Sequence, residues 1–296
     1  MSVTTIDRGS LSRPESLDRL RRTSRFDLLV VGGGATGLGV ALDAATRGLS
    51  VALLERDDFA KGTSSRATKL VHGGVRYLAQ GNLGLVREAL RERKAILGNA
   101  PHLAQPLSFL VPAFGLKGRL WGRPFYATGL MMYGLLAGKA RLGDTHLLNR
   151  AETLATMPGV RTDELVGAVQ YWDGQFDDAR LAVALARTAA AHGAVVLNHC
   201  AVRGLLHADG KVNGASIVDA QTGEGIDVHA GCIVNATGVW VDELRRMDAD
   251  GQSHMVSPSQ GIHLVVDREF LPGDSALLVP KTDDGRVMFA VPWLGK

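Results

Sequence analysis

The sequence predicts a mixed α/β protein, with a parallel sheet at its nucleus and a second, β-rich part. Three observations carry that expectation. The apolar run FDLLVV at 26–31 leads into a glycine cluster and then into apolar residues at helical spacing. A second apolar run, SVALLE at 50–55, completes a strand–helix–strand unit. From about 195 onward, short strand-like runs are punctuated by Asp-Gly and Asn-Gly pairs, which mark hairpins.

A chain of 296 residues suits one large domain or two modest ones. With 36 Gly and no collagen-like period, the glycines belong in turns and in close backbone approaches. The composition excludes a disordered, coiled-coil or fibrous chain. Residues 1–24 contain no apolar core for a secretory signal, and Asp7, Glu15 and Asp18 argue against a transit peptide. The segment reads as a surface tail with a short helix at 15–22, and the chain as cytoplasmic. The longest apolar stretch, FYATGLMMYGLLAG at 125–138, is shorter than the ~20 residues of a membrane span. Cys200 and Cys232 lie in apolar runs and read as two core thiols rather than a disulfide.

Charge is unevenly placed. Residues 81–150 carry 10 basic and 3 acidic side chains, whereas 151–296 carry 11 and 19. Between Arg93 and Arg141 there is no carboxylate, and Trp121, Phe125 and Tyr126 lie inside that stretch. Such a segment suits an anionic surface or ligand.

Gly32-x-Gly34-x-x-Gly37 directly follows a strand and opens a helix. The first glycine permits the tight turn, the second lets a pyrophosphate approach the backbone, and the third lets helix and strand pack closely. The helix start offers free amides and a positive dipole end. Glu55, at the end of the second strand, can accept ribose hydroxyls and would repel a 2′-phosphate, which disfavours NADP. A nicotinamide domain would continue with further strand–helix–strand units. Here the second strand runs into the polar loop DDFAKGTSSR at 57–66, and the next clear α/β elements come only with the helix DDARLAVALARTAAAHG at 177–193. A strand at 195–202 and the run CIVNATG at 232–238 can then return beside the first unit. That plan is a nucleotide domain interrupted by a β-rich insert. Between its halves, NLGLVREALRERKAIL at 82–97 reads as an amphipathic helix, and 101–143 as a strand and a helical hairpin.

Residues 26–78, FDLLVVGGGATGLGVALDAATRGLSVALLERDDFAKGTSSRATKLVHGGVRYL, resemble the N-terminus of the FAD-dependent glycerol-3-phosphate dehydrogenases. TSSRATKLVHGGVRYL is far more specific than the glycine triplet. DDARL at 177–181, IVNATGVWVD at 233–242, SQGIHLVVD at 259–267 and MFAVPW at 288–293 follow in that family's order. Gln260 stands where many relatives have Lys. The resemblance implies a Rossmann-like FAD-binding domain of the glutathione-reductase/D-amino-acid-oxidase type with a β-rich substrate domain. It also implies a chain truncated at its C-terminal side. The implied division is a tail at 1–24, the first part of the FAD domain at 25–100, an inserted basic segment at 101–176, the second part of the FAD domain at 177–245, and an incomplete substrate domain at 246–296.

The implied reaction oxidises glycerol 3-phosphate to dihydroxyacetone phosphate, with FAD as hydride acceptor and quinone as electron acceptor. Arg76 and Tyr77 are the implied substrate contacts. His263, in an apolar strand, is the implied general base, with His72 as its rival. Thr63, Ser64, Lys69, Leu70, Val202, Ala236 and Gly238 join Gly32, Gly34, Gly37 and Glu55 as cofactor contacts. Peripheral membrane contact through 116–141, on the inner face of the cell membrane, and a homodimer are left open.

The nine His and two Cys form no metal-ligand spacing, and no nucleophile elbow or nucleic-acid module occurs. Other readings are a different FAD-dependent amine or hydroxyacid oxidase, a non-catalytic flavin-binding fragment, and a membrane-surface partner protein.

Overall fold

The computed structural model describes residues 12–249, 251–282 and 284–295, without the side chains of Arg76 and Ala79. The chain forms two compact units, one holding the residues up to Ala67 with Asp178–Gly261, the other Thr68–Asp177 with the residues from Ile262. In chain order the first unit supplies α1 (Arg13–Arg22), β1 (Phe26–Val31), α2 (Ala35–Thr46) and β2 (Val51–Leu54). The second unit then supplies β3 (Leu70–Val71), α3 (Val75–Ala79), α4 (Leu83–Asn99), β4 (Ala104–Phe114), α5 (Gly115–Lys117), α6 (Arg123–Ala137), β5 (His146–Asn149), α7 (Arg150–Thr156) and β6 (Leu165–Phe176). The first unit resumes with α8 (Asp178–Ala191), β7 (Val195–Leu197), β8 (Cys200–Ala208), β9 (Lys211–Asp219), β10 (Gly225–Asn235) and α9 (Val241–Asp248). Finally β11 (Ala276–Val279) and β12 (Met288–Ala290) belong to the second unit.

The first unit is built on a sheet of order β7-β2-β1-β10-β9-β8, whose first four strands are parallel. β1 from Leu28 onward and β2 are unbroken apolar runs because both faces are covered. Val30, Val51 and Leu53 meet α2 and α8, which present mainly alanines, among them Ala41, Ala45, Ala186 and Ala189, so both helices lie close to the sheet. Leu29, Val31, Ala52 and Leu54 face the opposite side, against residues of β8, β9 and β10 and Leu244 of α9. Burying each such aliphatic side chain contributes roughly 1.5–3 kcal/mol.

That second face also holds Leu17 and Leu20, so the short helix expected at 15–22 forms, as α1, but it docks on the core and is no surface tail from Arg13 onward. α1 docks because its two leucines sit at (i, i+3) and because the Arg13 guanidinium reaches the Asn198 carbonyl at 2.7 Å and pairs with the buried Asp219 carboxylate. Residues 1–11 lie outside the described residues. Cys200 is a buried thiol and Cys232 an exposed one, where two core thiols were expected. Beyond His229 the ladder with β9 ends, and β10 continues with β1 on one side only.

The second unit centres on the long antiparallel pair β4–β6, in a sheet of order β12-β11-β4-β6-β3 with β5 also on β6. Alternation decides which side chains face which layer. Leu107, Phe109, Val111, Val169 and Tyr171 pack with Val86 and Leu90 of α4 and Leu130 and Tyr133 of α6. Leu110 and Ala168 point the other way, toward Met157 and Val160. Asp173 shares the period-two face of Val169 and Tyr171, which aims a carboxylate at the helical layer.

The strand expected at 261–267 is corrected. GIHLVVD is irregular in the structure, and Ile262, Leu264 and Val265 are 83%, 84% and 81% exposed. A strand needs ladder partners, and no pairing of these residues occurs among the described residues.

Candidate functional site

The first unit carries a cleft of about 400 Å³ at the carboxyl ends of its parallel strands. In open α/β sheets ligands bind at that end. β1 delivers the chain into Gly32, whose φ of +115° excludes ordinary L-residues. The Ala236 amide donates to the Val31 carbonyl at 2.9 Å, which draws the end of β10 onto Gly32. A Cβ on Gly32 would overlap the Ala236 carbonyl, and one on Gly37 would overlap the Gly32 carbonyl. The spacing of the triplet thus has a steric cause on both sides of the turn. Gly34 precedes α2 and faces the Ser64 hydroxyl, 3.2 Å from where a Cβ would stand.

Polar groups close the cradle. Ser64 Oγ accepts the Ala35 amide at 2.8 Å, so it sits at the open end of α2. Glu55 Oε2 accepts the Gly33 amide at 2.6 Å and Oε1 accepts the Asp57 amide at 2.8 Å. A carboxylate offers about four acceptor positions, so two remain for ligand hydroxyls. Asn235 Nδ2 donates to the Val241 carbonyl at 2.9 Å, and the Thr237 hydroxyl donates to Asn235 Oδ1 at 2.7 Å, shaping the turn that holds Gly238 at φ +62°. Val202 and Thr63 line the same cleft.

Sequence reasoning missed several residues in or beside the cleft. Gly33 is as constrained as its neighbours, with a Cβ position 2.7 Å from Glu55 Cβ. Arg56 stacks over the Trp240 ring at 4.5 Å and pairs with Glu243 at 2.9 Å, forming one rim of the cleft. Val256 lines it too. Beside it, Asp242 accepts the Met255 and Val256 amides at 3.0 and 3.2 Å. The hydrogen bond from Arg245 holds the Asp242 carboxyl down at about 2, against desolvation and with help from those two amides. The signals for Arg56 and Trp240 were adjacency to Glu55 and to the NATG turn.

Eight of the expected site residues therefore meet in one cleft: Gly32, Gly34, Glu55, Thr63, Ser64, Val202, Ala236 and Gly238, while Gly37 packs against Gly32 and Ala236. Lys69, Leu70, Arg76, Tyr77 and His263 belong to the second unit. Lys69 has a left-handed φ of +63°, and its carbonyl accepts the Phe176 amide at 2.9 Å, just before Leu70 pairs with Gln175. Tyr77 is exposed on α3. The Arg76 side chain lies outside the described residues. His263 is exposed on the irregular segment. His72 Nδ1 accepts the Gly74 amide at 3.0 Å, so a neutral ring carries its proton on Nε2.

The cradle fits a flavin dinucleotide on its own geometry: overlap-free glycine backbone for a pyrophosphate, a helix start with amides, and a carboxylate with spare acceptor positions. Comparison with known proteins agrees. A family model described as FAD dependent oxidoreductase matches residues 27–296. The mitochondrial glycerol-3-phosphate dehydrogenase of Bos taurus is 44% identical over 301 residues, covering 97% of this chain and 41% of that protein. Its Saccharomyces cerevisiae counterpart is 42% identical over 319 residues, with 97% and 48% covered. The crystal structure of the glycerol-3-phosphate dehydrogenase from Bacillus halodurans, complexed with FAD, matches with a TM-score of 0.72 and 33% identity, covering 96% of this chain and 48% of that one. The chain thus spans less than half the length of these relatives. Glycine turn, carboxylate and returning strand, together with a match that runs from Asp27 onward, make this chain a member of the FAD dependent oxidoreductase family.

Proposed function

We propose that the chain serves the FAD-dependent oxidation of glycerol 3-phosphate to dihydroxyacetone phosphate, with the first unit holding the cofactor and the second the substrate. The observation that carries this reading is the cleft itself, combined with 44% identity to a glycerol-3-phosphate dehydrogenase through the TSSRATKLVHGGVRYL segment and beyond. Gly32, Gly34 and Gly37 give the pyrophosphate room, Ser64 and Thr63 offer hydroxyls, and Glu55 accepts from the ribose. Val202 would hold the adenine, and Ala236 and Gly238 would offer backbone to the flavin. When bound, FAD supplies the acceptor for a hydride and the redox chemistry that no side chain can supply.

The remaining work falls to side chains. Arg76 binds the substrate phosphate with its fork of donors, and Tyr77 donates to the phosphate or a hydroxyl. His263 takes the proton of the carbon-2 hydroxyl on a ring nitrogen, so that loss of hydride from carbon 2 leaves a carbonyl. Electrons then pass to a quinone at a membrane surface. Support for that last step comes from 116–141. One face of α6 packs Ala127, Leu130, Tyr133 and Ala137 inward. The outer face exposes Phe125, Met131, Met132 and Leu135, and the π-helical turn Gly118–Gly122 before it exposes Leu120 and a 77% exposed Trp121, among Lys117, Arg119 and Lys139. An exposed apolar face rimmed by cations suits monotopic attachment to anionic lipid. Among the described residues no helix is long and apolar enough to cross a membrane.

The test is a visible spectrum of the purified protein before and after anaerobic glycerol 3-phosphate. A flavin band that bleaches is the expected result. A flavin band that persists with glycerol 3-phosphate but bleaches with an amino acid or a hydroxyacid would overturn the substrate assignment. Absence of flavin from folded protein would overturn the cofactor assignment.

A further inference from the structure

We propose that Tyr133 and Asp173 are positioning residues that set the His72–Gly74 turn and thereby place residues 76 and 77 for the substrate phosphate. The second half of this statement rests on the proposed function; the first half does not.

The turn is held by a buried polar network drawn from four separate segments of the second unit. Gly73 is buried and has no room for a side chain, because a Cβ would overlap the Tyr133 hydroxyl and the end of Leu90. Its amide donates to Tyr133 Oη at 2.8 Å, with Asp173 Oδ1 3.3 Å away. The Tyr133 hydroxyl donates in turn to Asp173 Oδ2 at 2.9 Å. Arg93 supplies the counter-charge, with Nη1 2.8 Å from Asp173 Oδ1, and its Nη2 holds the Ala140 carbonyl at 2.7 Å. Burial, and then the charge of Asp173, push the Tyr133 phenol above its ordinary range, so it stays protonated and remains a donor.

Two facts direct this network toward the turn rather than toward general stability. A buried ion pair is often no more stabilising than an apolar replacement, so its presence calls for a geometric purpose. Besides Arg93, its carboxylate reaches the Gly73 amide twice, directly at 3.3 Å and through the Tyr133 hydroxyl, and it also accepts the amide of its own neighbour Gly174 at 3.1 Å. The next residue, Gly74, takes a left-handed φ of +70°, donates to His72 Nδ1 at 3.0 Å, and begins α3. Fixing Gly73 therefore fixes where α3 starts, and residues 76 and 77 follow within its first turn.

Tyr133→Phe tests this in the flavin-loaded protein, because it keeps the ring and removes only the hydroxyl. Two readings are taken: amide hydrogen exchange of the segment 70–80, and KM and kcat with glycerol 3-phosphate. We expect exchange and KM each to rise about five- to tenfold, as for loss of one buried hydrogen bond, with kcat changed less than about threefold and the flavin absorption unmoved. Asp173→Asn, which keeps the shape and withdraws the charge, should move both readings the same way. Tyr171→Phe, in the same aromatic cluster with its ring 6.4 Å from that of Tyr133, should move neither. Unchanged exchange in Tyr133→Phe would overturn the positioning role. Faster exchange with unchanged KM would overturn the link from turn to substrate while leaving the proposed activity standing. Failure of the unaltered protein to oxidise glycerol 3-phosphate would defeat the activity instead, and exchange would still decide whether the network holds the turn.

Discussion

The glycine turn of the first unit and the His72–Gly74 turn of the second both exclude a Cβ and both hold an amide by a side chain, but they differ in emphasis. The first is shaped by exclusion: Gly32, Gly33 and Gly37 stand where any Cβ would strike a neighbour. The second excludes a Cβ at Gly73 and adds a long-range attraction: one amide is held by a hydroxyl, a carboxylate and, behind them, a guanidinium. A turn made by exclusion needs only small residues at fixed spacing. A turn made by attraction needs partners that the fold must bring together, and it depends on charge.

The contrast is open to test by breaking each turn at its support. The largest effect is expected from Arg93→Ala, which leaves Asp173 buried without its counter-charge and should destabilise by about 3–5 kcal/mol, read from urea unfolding of the second unit's tyrosine signal. Equal stability of Arg93→Ala and the unaltered protein would show that attraction is dispensable there. Gly37→Ala comes next. It forces a methyl against the Gly32 carbonyl and should cost on the order of 1–3 kcal/mol. Because the first unit folds around that contact, bound flavin per protein, read from absorbance, should fall with it. Asn82→Ala is a smaller probe. The Asn82 side chain accepts the Leu85 amide at 3.1 Å and caps α4, the helix that carries Arg93. Its loss should cost about 1 kcal/mol by thermal melting, with KM unmoved if the cap and the turn are independent.

The smallest effect belongs to pH. The Arg245 hydrogen bond lowers the Asp242 pKa from an ordinary 3.8 to about 2, so its support of the Met255 and Val256 amides is fully present above 3.8 and is lost as the pH falls through about 2. The amide resonances of Met255 and Val256 should therefore hold their positions down to that range and shift together within it. A transition near the ordinary value would show that Arg245 does not pair with Asp242 in solution.

The same contrast explains what could be read in advance. The glycine triplet, Glu55 and the CIVNATG strand were legible because steric rules act at fixed sequence spacing, and the returning strand declares itself by apolarity. Arg93, Tyr133 and Asp173 were not legible, because partners 40 and 80 positions apart leave no pattern in the chain. Arg93 read as one more charge on an amphipathic helix. The strand expected at 261–267 shows the opposite error. GIHLVVD has the composition of a strand, but composition reports what a segment can bury, and pairing decides whether it does. At residues 13–22 the helix was legible but its docking was not, for a related reason: eight of the ten are charged, polar or proline, and the two leucines that dock α1 are outnumbered.

Glu55 has a consequence for anyone who would redesign the cradle. Its two oxygens already clasp the Gly33 and Asp57 amides, so the residue proposed to select the ligand also staples its own loop. Swapping it to welcome a phosphorylated ribose would unfasten the loop in the same stroke. Cofactor preference and scaffold integrity are thus inherited together here, and a change of preference has to begin with a second residue that takes over those two amides.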